Sequence, residues 1–396
     1  MCGHPEALQC PGASQPTAGI GTRNASSLPK RWVLASKLFY DIGIKSSTCD
    51  DIYVVTLLSL SNTFHCERRT EPLQEGTLVP HSSCRIRVTG HGGTRNFLRR
   101  NDADESMKQG DYEEQNRIKA SFSTAYTART PHRYLCNMAA VDYRMADYMN
   151  PYLSAVVDAS MPSQKVVKVL DVGCSYGMSG ALLKTDCAYQ DLVEFYRKEA
   201  SLEYAACVIE SQRWLELNAI RKDVEVVGFD SSEEAIRFAA DSKMIDEGIA
   251  LNLEEQKSKL TADEAHLIQE CNVLLSTGAI GYVTDKTLNP ILDEFGNNAR
   301  GALGPVAIMS VLELFDPAPI AEAFAEHGYL FGQLSVRMPQ RQFVDEEERE
   351  GVFEKLRKRG VQTDAVGSEH QMFAGLCIAA KPERFDALTE CVTDVS

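Results

Sequence analysis

The sequence lacks the cysteine arrangements that mark disulfide-bonded and zinc-binding proteins. Its 12 cysteines are scattered, and no Cys-x-x-Cys pair is present. Cys136, Cys207 and Cys377 lie in apolar contexts, which is typical of reduced, buried thiols in a cytosolic protein. One cluster combines histidine with cysteine: His65, Cys66, His81, Cys84 and His91. Its spacing matches no structural zinc pattern, so no metal is expected.

Basic residues are too few to balance the acidic ones. Lysine and arginine number 41 against 56 aspartates and glutamates, which gives a formal net charge of -15. A surface of that sign repels polyanions, so a nucleic-acid partner is not expected. The hydrophobic content of 44% over 396 residues is ordinary for a globular protein with a substantial core.

Long apolar runs are also absent. The most apolar early run, residues 52–60, reads as a short strand and falls far short of the ~20 residues that a membrane-spanning helix needs. Met1 is followed by polar and small residues rather than an apolar core, so we expect a cytoplasmic protein without a secretory signal. An organellar transit segment is the alternative, because no acid lies between Glu6 and Asp41 while basic residues recur there.

The chain changes character near residue 105. Residues 1–105 are rich in turn-forming residues and have no sustained periodicity, so they predict a poorly ordered N-terminal extension. Residues 106–396 predict one folded domain, in which apolar strands alternate with amphipathic helices. The predicted strands are residues 165–173, 224–230, 248–255, 272–283, 304–315, 329–338 and 371–381.

This alternation predicts an α/β fold with a doubly wound, mostly parallel seven-stranded sheet and helices on both faces. The short connection between the last two strands favours an antiparallel edge strand. Residues 181–222 are longer than one crossover needs and carry apolar residues at helical spacing, so they predict a helical insertion after the first strand. The insertion is either packing decoration or a lid over a ligand.

A glycine turn follows the first of these strands, in the stretch VLDVGCSYGMSG at residues 169–180. The dinucleotide fingerprint G-x-G-x-x-G fails at two of its three positions, where Ser175 and Met178 stand in place of glycine. The Gly-Lys-Ser/Thr of a phosphate-binding loop is absent as well. The turn is therefore not built to hold a pyrophosphate, and an NAD-dependent oxidoreductase is disfavoured.

The same turn resembles motif I, D/E-x-G-x-G-x-G, of the class I S-adenosylmethionine-dependent methyltransferases. Asp171, Gly173 and Gly177 fit the motif, while Ser175 replaces its middle glycine. The resemblance covers roughly residues 120–382 and implies S-adenosyl-L-methionine as cofactor. It implies that the loop passes under the methionine part of the cofactor and that the acid holds the loop and the ligand amine.

The ends of the following strands extend the resemblance. Asp230 ends the second strand, where the family has an acid for the ribose hydroxyls; its alternative role is to cap the next helix. Asn252 and Leu253 stand at the end of the third strand, where the resemblance implies adenine contacts. Ser276, Thr277 and Gly278 stand at the end of the fourth strand and are expected to face the reacting methyl group.

The resemblance predicts in-line transfer of a methyl group to an oxygen, nitrogen or carbon nucleophile of a small molecule. No [D/N]-P-P-[Y/F] follows the fourth strand, which removes the family signature for methylating an amino group of adenine or glutamine. A protein methyltransferase and a cofactor-binding relative without methyl transfer remain alternatives. The candidate bases are His132, Glu313 and His370, and the candidate substrate contacts are Tyr126, Tyr134 and Tyr196. The acceptor and the oligomeric state do not follow from the sequence.

Overall fold

The computed structural model describes residues 86–90, 93–97, 110–119, 128–161, 166–255, 257–299, 302–361 and 370–395. The chain divides into two compact units, and every described residue belongs to the second, Val55–Ser396. Of the predicted extension, the described part is an antiparallel pair of strands, β1 (Ile86–Gly90) and β2 (Gly93–Phe97). The strand expected at residues 52–60 and the histidine–cysteine cluster lie outside the described residues.

Seven further strands form where the sequence predicts them. They are β3 (Val167–Val172), β4 (Val224–Asp230), β5 (Glu247–Ala250), β6 (Val273–Ser276), β7 (Val306–Leu312), β8 (Leu330–Gln342) and β9 (Gln371–Ala380). The sheet order is β1-β2-β8-β9-β7-β6-β3-β4-β5. The strand pairs β3–β4, β4–β5, β3–β6 and β6–β7 are all parallel. The prediction of a mostly parallel seven-stranded sheet is confirmed, and the β1–β2 hairpin extends that sheet to nine strands.

The antiparallel strand occupies an interior position instead of the edge that its short connection suggested. β9 lies between β7 and β8 and pairs antiparallel with both. Every residue of β9 after Gln371 is buried, whereas β8 alternates between exposed and buried residues. The more apolar strand, β9, therefore has a neighbouring strand on each side. The more polar strand, β8, lies next to it, farther from the centre of the sheet.

Helices cover both faces of the sheet. They are α1 (Gly110–Ile118), α2 (His132–Ala140), α3 (Met145–Ser160), α4 (Met178–Lys184), α5 (Tyr189–Lys198), α6 (Tyr204–Asn218), α7 (Glu233–Asp241), α8 (Ala262–Gln269), α9 (Asp285–Glu294), α10 (Ala318–Glu326), α11 (Glu346–Lys358) and α12 (Pro382–Thr393). Val167 and Val169 of β3 point into the core beneath α3 and α12, while Leu170 and Val172 point into the core beneath α8 and α9. This alternation along a fully buried strand is what a doubly wound sheet requires.

Helices α5 and α6 form the predicted insertion between β3 and β4. A bridge between Thr185 and Ala219 closes its base. The rings of Tyr196 and Tyr204 pack edge-on against Phe238 of α7, with centroids 6.2 and 6.0 Å apart. No helix in the described part of the chain is long and apolar enough to cross a membrane.

Candidate functional site

The order of strands in the sheet reverses at β3, which is the topological switch point. From β3 the chain moves outward through β4 to β5, then returns to place β6 and β7 on the other side of β3. Ligands of open parallel sheets bind outside the carboxyl ends of the strands at such a point. A cavity of about 630 Å³ lies there, lined by the segments that follow β3, β4, β5 and β6.

The glycine turn after β3 forms the floor of this cavity. Gly173 and Gly177 have φ angles of +81° and +77°, in the left-handed region that glycine adopts without strain. A Cβ atom on Gly173 would overlap the Cβ of Ala279, so the turn also needs the bare backbone for space. Gly173 lines the cavity. Gly177 does not; it precedes the first residue of α4 and lies close to the Met244 side chain.

Ser175 adopts the conformation of the motif glycine that it replaces. Its φ is +51°, which costs a residue with a Cβ atom roughly 1 kcal/mol. Ser175 lines the cavity, and its hydroxyl oxygen is buried without a hydrogen-bond partner in the described structure. Strain of this kind persists where the surrounding structure imposes it, and it is frequent in ligand-binding loops.

Asp171, the acid of the motif, lies buried just before the turn. Its residue is 1% exposed, and both carboxylate oxygens lack a hydrogen-bond partner in the described structure. Burial and, after it, the nearby charge of Asp230 raise the pKa of this carboxyl from 3.8 to about 7. A buried polar group without a partner is rare and costly, so this carboxylate is suited to a cationic partner supplied by a ligand.

Asp230, at the end of β4, ties that strand to the glycine turn. Its Oδ2 accepts a hydrogen bond from the Ser175 N–H at 2.9 Å, and its Oδ1 accepts one from the Ser232 N–H at 2.9 Å. Burial raises the pKa of Asp230, and backbone N–H groups partly offset that rise. The helix cap of α7 is Ser232, whose hydroxyl accepts from Ala235 N–H, so Asp230 is left to hold the turn and line the cavity.

The segment after β5 contributes Asn252 and Leu253 to the cavity lining, as the resemblance implied, and adds Glu254. Glu254 accepts hydrogen bonds from the Thr284 N–H and hydroxyl, both at 2.8 Å, and from the Thr287 hydroxyl at 2.6 Å. It therefore holds the start of α9 against the cavity. Sequence reasoning missed Glu254 because its partners lie some thirty residues away.

At the end of β6, two of the three expected residues line the cavity and Ser276 does not. The Ser276 hydroxyl is buried and donates to the Val172 carbonyl at 3.0 Å, so Ser276 ties β6 to β3 and does not line the cavity. Thr277 and Gly278 line it. Side chains alternate between the two sides of a strand, so the last strand residue points into the core.

Tyr143 meets this strand end from the loop between α2 and α3. Its hydroxyl lies 3.4 Å from the Thr277 carbonyl oxygen, and a Cβ atom on Gly278 would overlap that hydroxyl. Tyr143 lines the cavity. Nothing in the local sequence distinguishes it from the neighbouring tyrosines, because its position depends on how the loop packs over the sheet.

The three predicted substrate tyrosines have different positions. Tyr134 lines the cavity together with Tyr189, another tyrosine that the sequence offered for the pocket wall, and Tyr282, which the sequence did not single out. Tyr196 is buried between α5 and α6, where its hydroxyl lies 2.9 Å from the Ser211 hydroxyl, and it does not line the cavity. Tyr126 lies outside the described residues.

None of the three predicted bases lines the cavity. His132 begins α2 with its Nδ1 3.1 Å from the Tyr196 carbonyl oxygen. The Glu313 carboxylate accepts two hydrogen bonds from the Arg337 guanidinium, at 2.6 and 2.9 Å. His370 is exposed at the start of β9. Each side chain therefore has a structural or surface setting away from the candidate site.

Neither a family model nor a curated protein matches the sequence. Matching solved structures include the plantazolicin methyltransferase BpumL in complex with SAH, at 11% identity and a TM-score of 0.31, over 69% of this chain and 98% of that one. Geranyl diphosphate methyltransferase in complex with SAM matches at 12% identity and a TM-score of 0.28, over 67% and 96%. A TehB-like SAM-dependent methyltransferase from Corynebacterium glutamicum matches at 14% identity and a TM-score of 0.28, over 58% and 86%.

The sheet itself defines the fold. Strands β3 to β7 are parallel, β9 is antiparallel between β7 and β8, and the cavity lies where the strand order reverses. The chain thus has a doubly wound, mostly parallel α/β fold with a cavity at the carboxyl ends of its central strands.

Proposed function

We propose that the protein is an S-adenosylmethionine-dependent methyltransferase that acts on a small molecule. The observation that carries this proposal is the Asp171 carboxylate, which has no partner among the described residues and is buried two positions before Gly173, a lining residue; Asp171 itself is not among the residues that line the cavity. S-adenosylmethionine carries an ammonium group and a sulfonium, so it supplies the cationic partner that this carboxylate lacks. When bound, it also supplies a methyl group that the sulfonium has already activated.

The residues around the cavity fit the rest of the cofactor. Asp230 would accept hydrogen bonds from the ribose hydroxyls with the lone pairs that its two backbone contacts leave free. Asn252 and Leu253 would contact the adenine through an amide and an apolar side chain. Gly173 presents bare backbone to the cavity, which suits a ligand lying against the main chain.

The walls of the cavity favour a small acceptor over a protein segment. Tyr134 and Tyr143 come from the region of α2, and Tyr189 comes from the insertion, so rings from outside the sheet enclose the space above the strand ends. Enclosed, largely apolar cavities with a few polar groups are the usual form of small-molecule sites. The acceptor atom is the subject of the further inference below.

Calorimetric titration tests the cofactor assignment. We expect S-adenosylmethionine to bind with one site per chain and NAD not to bind, and we expect Asp171→Asn to weaken S-adenosylmethionine binding by about tenfold or more, because a charge-assisted hydrogen bond is lost. The matched control is Asp263→Asn, an exposed carboxylate on α8, which should bind as the unaltered protein does. Binding of NAD but not S-adenosylmethionine would overturn the proposal.

A screen for release of S-adenosylhomocysteine over small-molecule acceptors tests the transfer step. Turnover of at least one acceptor is expected. Tight cofactor binding with no release over small molecules and peptides alike would instead identify a cofactor-binding relative without methyl transfer.

A further inference from the structure

The charges around the cavity are unevenly placed. The carboxylates that line it, Asp230, Glu233, Glu234 and Glu254, all follow β4 or β5, at the end proposed for the nucleoside. No acidic side chain lines the described segment after β6, where the acceptor would meet the methyl group. The acceptor end therefore lacks both a carboxylate to bind a cation and a carboxylate to act as a base.

Lys119 lies behind Tyr282 at that end and is not itself among the residues that line the cavity. Lys119 follows α1, and its Nζ lies 4.1 Å from the ring centroid of Tyr282, a cavity-lining residue, and 4.7 Å from that of Phe315. Among the described residues, its ammonium has no carboxylate within salt-bridge distance. Asn116, in the last turn of α1, donates to the Gly281 carbonyl at 2.7 Å and so fixes this segment against the turn that carries Tyr282.

The neighbouring ion pair does not compensate Lys119. Arg341 and Glu348 are both buried and form a bidentate pair, one bond of which joins Arg341 Nη1 to Glu348 Oε2 at 2.9 Å. Burial and, after it, the Arg341 charge lower the pKa of Lys119 to about 7, and Glu348 opposes the shift. When protonated, Lys119 adds a positive charge beside this pair, and an anion would stabilise that charge.

Tyr143 is a hydrogen-bond donor that lines the cavity at this end. The Tyr143 hydroxyl lies beside Thr277 and Gly278, and its contact with the Thr277 carbonyl, at 3.4 Å, is long for a hydrogen bond. Burial, followed by the charge of Asp171, raises the pKa of Tyr143 well above its usual range. The hydroxyl therefore stays protonated and can donate to an acceptor oxygen, but it cannot act as a base.

We propose that the acceptor is a small organic acid, methylated on its carboxylate oxygen, with Lys119 and Tyr143 as the groups that bind that carboxylate. The proposal rests on the proposed methyltransferase function. The carboxylate oxygen forms the new C–O bond as the methyl–sulfur bond breaks, and the electron pair of that bond stays on sulfur. No proton is transferred, which agrees with the absence of a histidine or carboxylate base from the described lining at this end.

The test begins from the complex with S-adenosylhomocysteine, whose formation is measured first. Three probe acids, benzoate, trans-cinnamate and octanoate, are titrated into this complex beside their uncharged primary amides. At least one acid should bind more tightly than its amide, and S-adenosylmethionine should convert that acid to its methyl ester. Amide binding equal to acid binding, or no acid binding by a complex that has formed, would overturn the acceptor assignment while leaving the cofactor assignment intact.

Substitution of Lys119 separates charge recognition from proton transfer. We expect Lys119→Gln to weaken binding of the acid by about tenfold or more and Lys119→Arg to keep it within about threefold, because arginine retains the charge. Lys222→Gln, at an exposed lysine before β4, is the matched control and should leave binding unchanged. If Lys119→Arg lost methyl transfer as completely as Lys119→Gln while the acid still bound, Lys119 would be a base and the proposal would be wrong.

Discussion

Replacing Asp171 with asparagine should change how the stability of the ligand-free protein depends on pH. The pKa of this carboxyl rises from 3.8 to about 7 on folding, mainly because it is buried without a hydrogen-bond partner. The folded protein therefore binds a proton that the unfolded chain releases. The stability contributed by that proton is complete below the unfolded pKa and is lost as the pH rises through the folded pKa.

The size of the effect follows from the two pKa values. Between pH 6 and pH 8 this single group should lower the free energy of unfolding by about 1.3 kcal/mol. Asparagine resembles the protonated carboxyl in shape and does not titrate. The free energy of unfolding of Asp171→Asn should therefore rise by about 1.3 kcal/mol relative to that of the unaltered protein between pH 6 and pH 8.

Urea unfolding of the ligand-free proteins at both pH values measures the difference. Asp263→Asn serves as the control for an exposed carboxylate and should follow the unaltered protein. If the difference in free energy of unfolding between Asp171→Asn and the unaltered protein were the same at pH 6 and pH 8, burial would not raise the pKa of Asp171 as described.

The same carboxyl should control the pH dependence of cofactor binding. S-adenosylhomocysteine keeps the ammonium group, so its binding requires Asp171 ionised, and its affinity should fall as the pH drops below about 7, approaching tenfold per unit. Asp171→Asn should bind weakly with little pH dependence in this interval. Equal pH dependence in the two proteins, measured by calorimetry, would show that the ammonium group does not contact Asp171.

Three further substitutions test single contacts. Asp230→Ala removes the acceptor for two backbone N–H groups, so S-adenosylmethionine affinity should fall by at least about tenfold; an unchanged calorimetric affinity would contradict its role. Ser175→Gly relieves the left-handed backbone and should stabilise the protein by up to about 1 kcal/mol in urea unfolding with binding retained; a loss of stability would contradict the strain. Tyr196→Phe removes the Ser211 contact and should cost about 1 kcal/mol of stability without changing kcat or KM; a changed KM would place Tyr196 at the substrate.

Much of the cofactor end of the site could be predicted because it depends on strand ends. In a parallel sheet the carboxyl ends of neighbouring strands meet at one edge, so residues far apart in sequence come together once the strands are identified. Gly173, Asp230 and Asn252 line the cavity for this reason. Ser276, the last residue of β6, does not line the cavity, because its side chain points into the core; the residue after it, Thr277, does.

The acceptor end could not be predicted, because its residues come from helices and loops whose packing is not local. Tyr143 reaches Thr277 across 134 residues, and Lys119 lies against Tyr282 only because α1 is fixed to the Gly281 carbonyl. The sequence offered His132 as a candidate base because its segment could fold over the cofactor, but in the structure its Nδ1 lies 3.1 Å from the Tyr196 carbonyl oxygen and it does not line the cavity.

The sequence by itself determined the strands, the glycine turn and the acid that precedes it, because apolar runs and positive-φ positions are properties of short segments. Tertiary structure alone decided that β9 lies inside the sheet, that Asp171 has no hydrogen-bond partner among the described residues, and that Lys119 lies against the Tyr282 ring. Partners and counter-charges depend on which distant segments pack together, and no local pattern of residues encodes that choice.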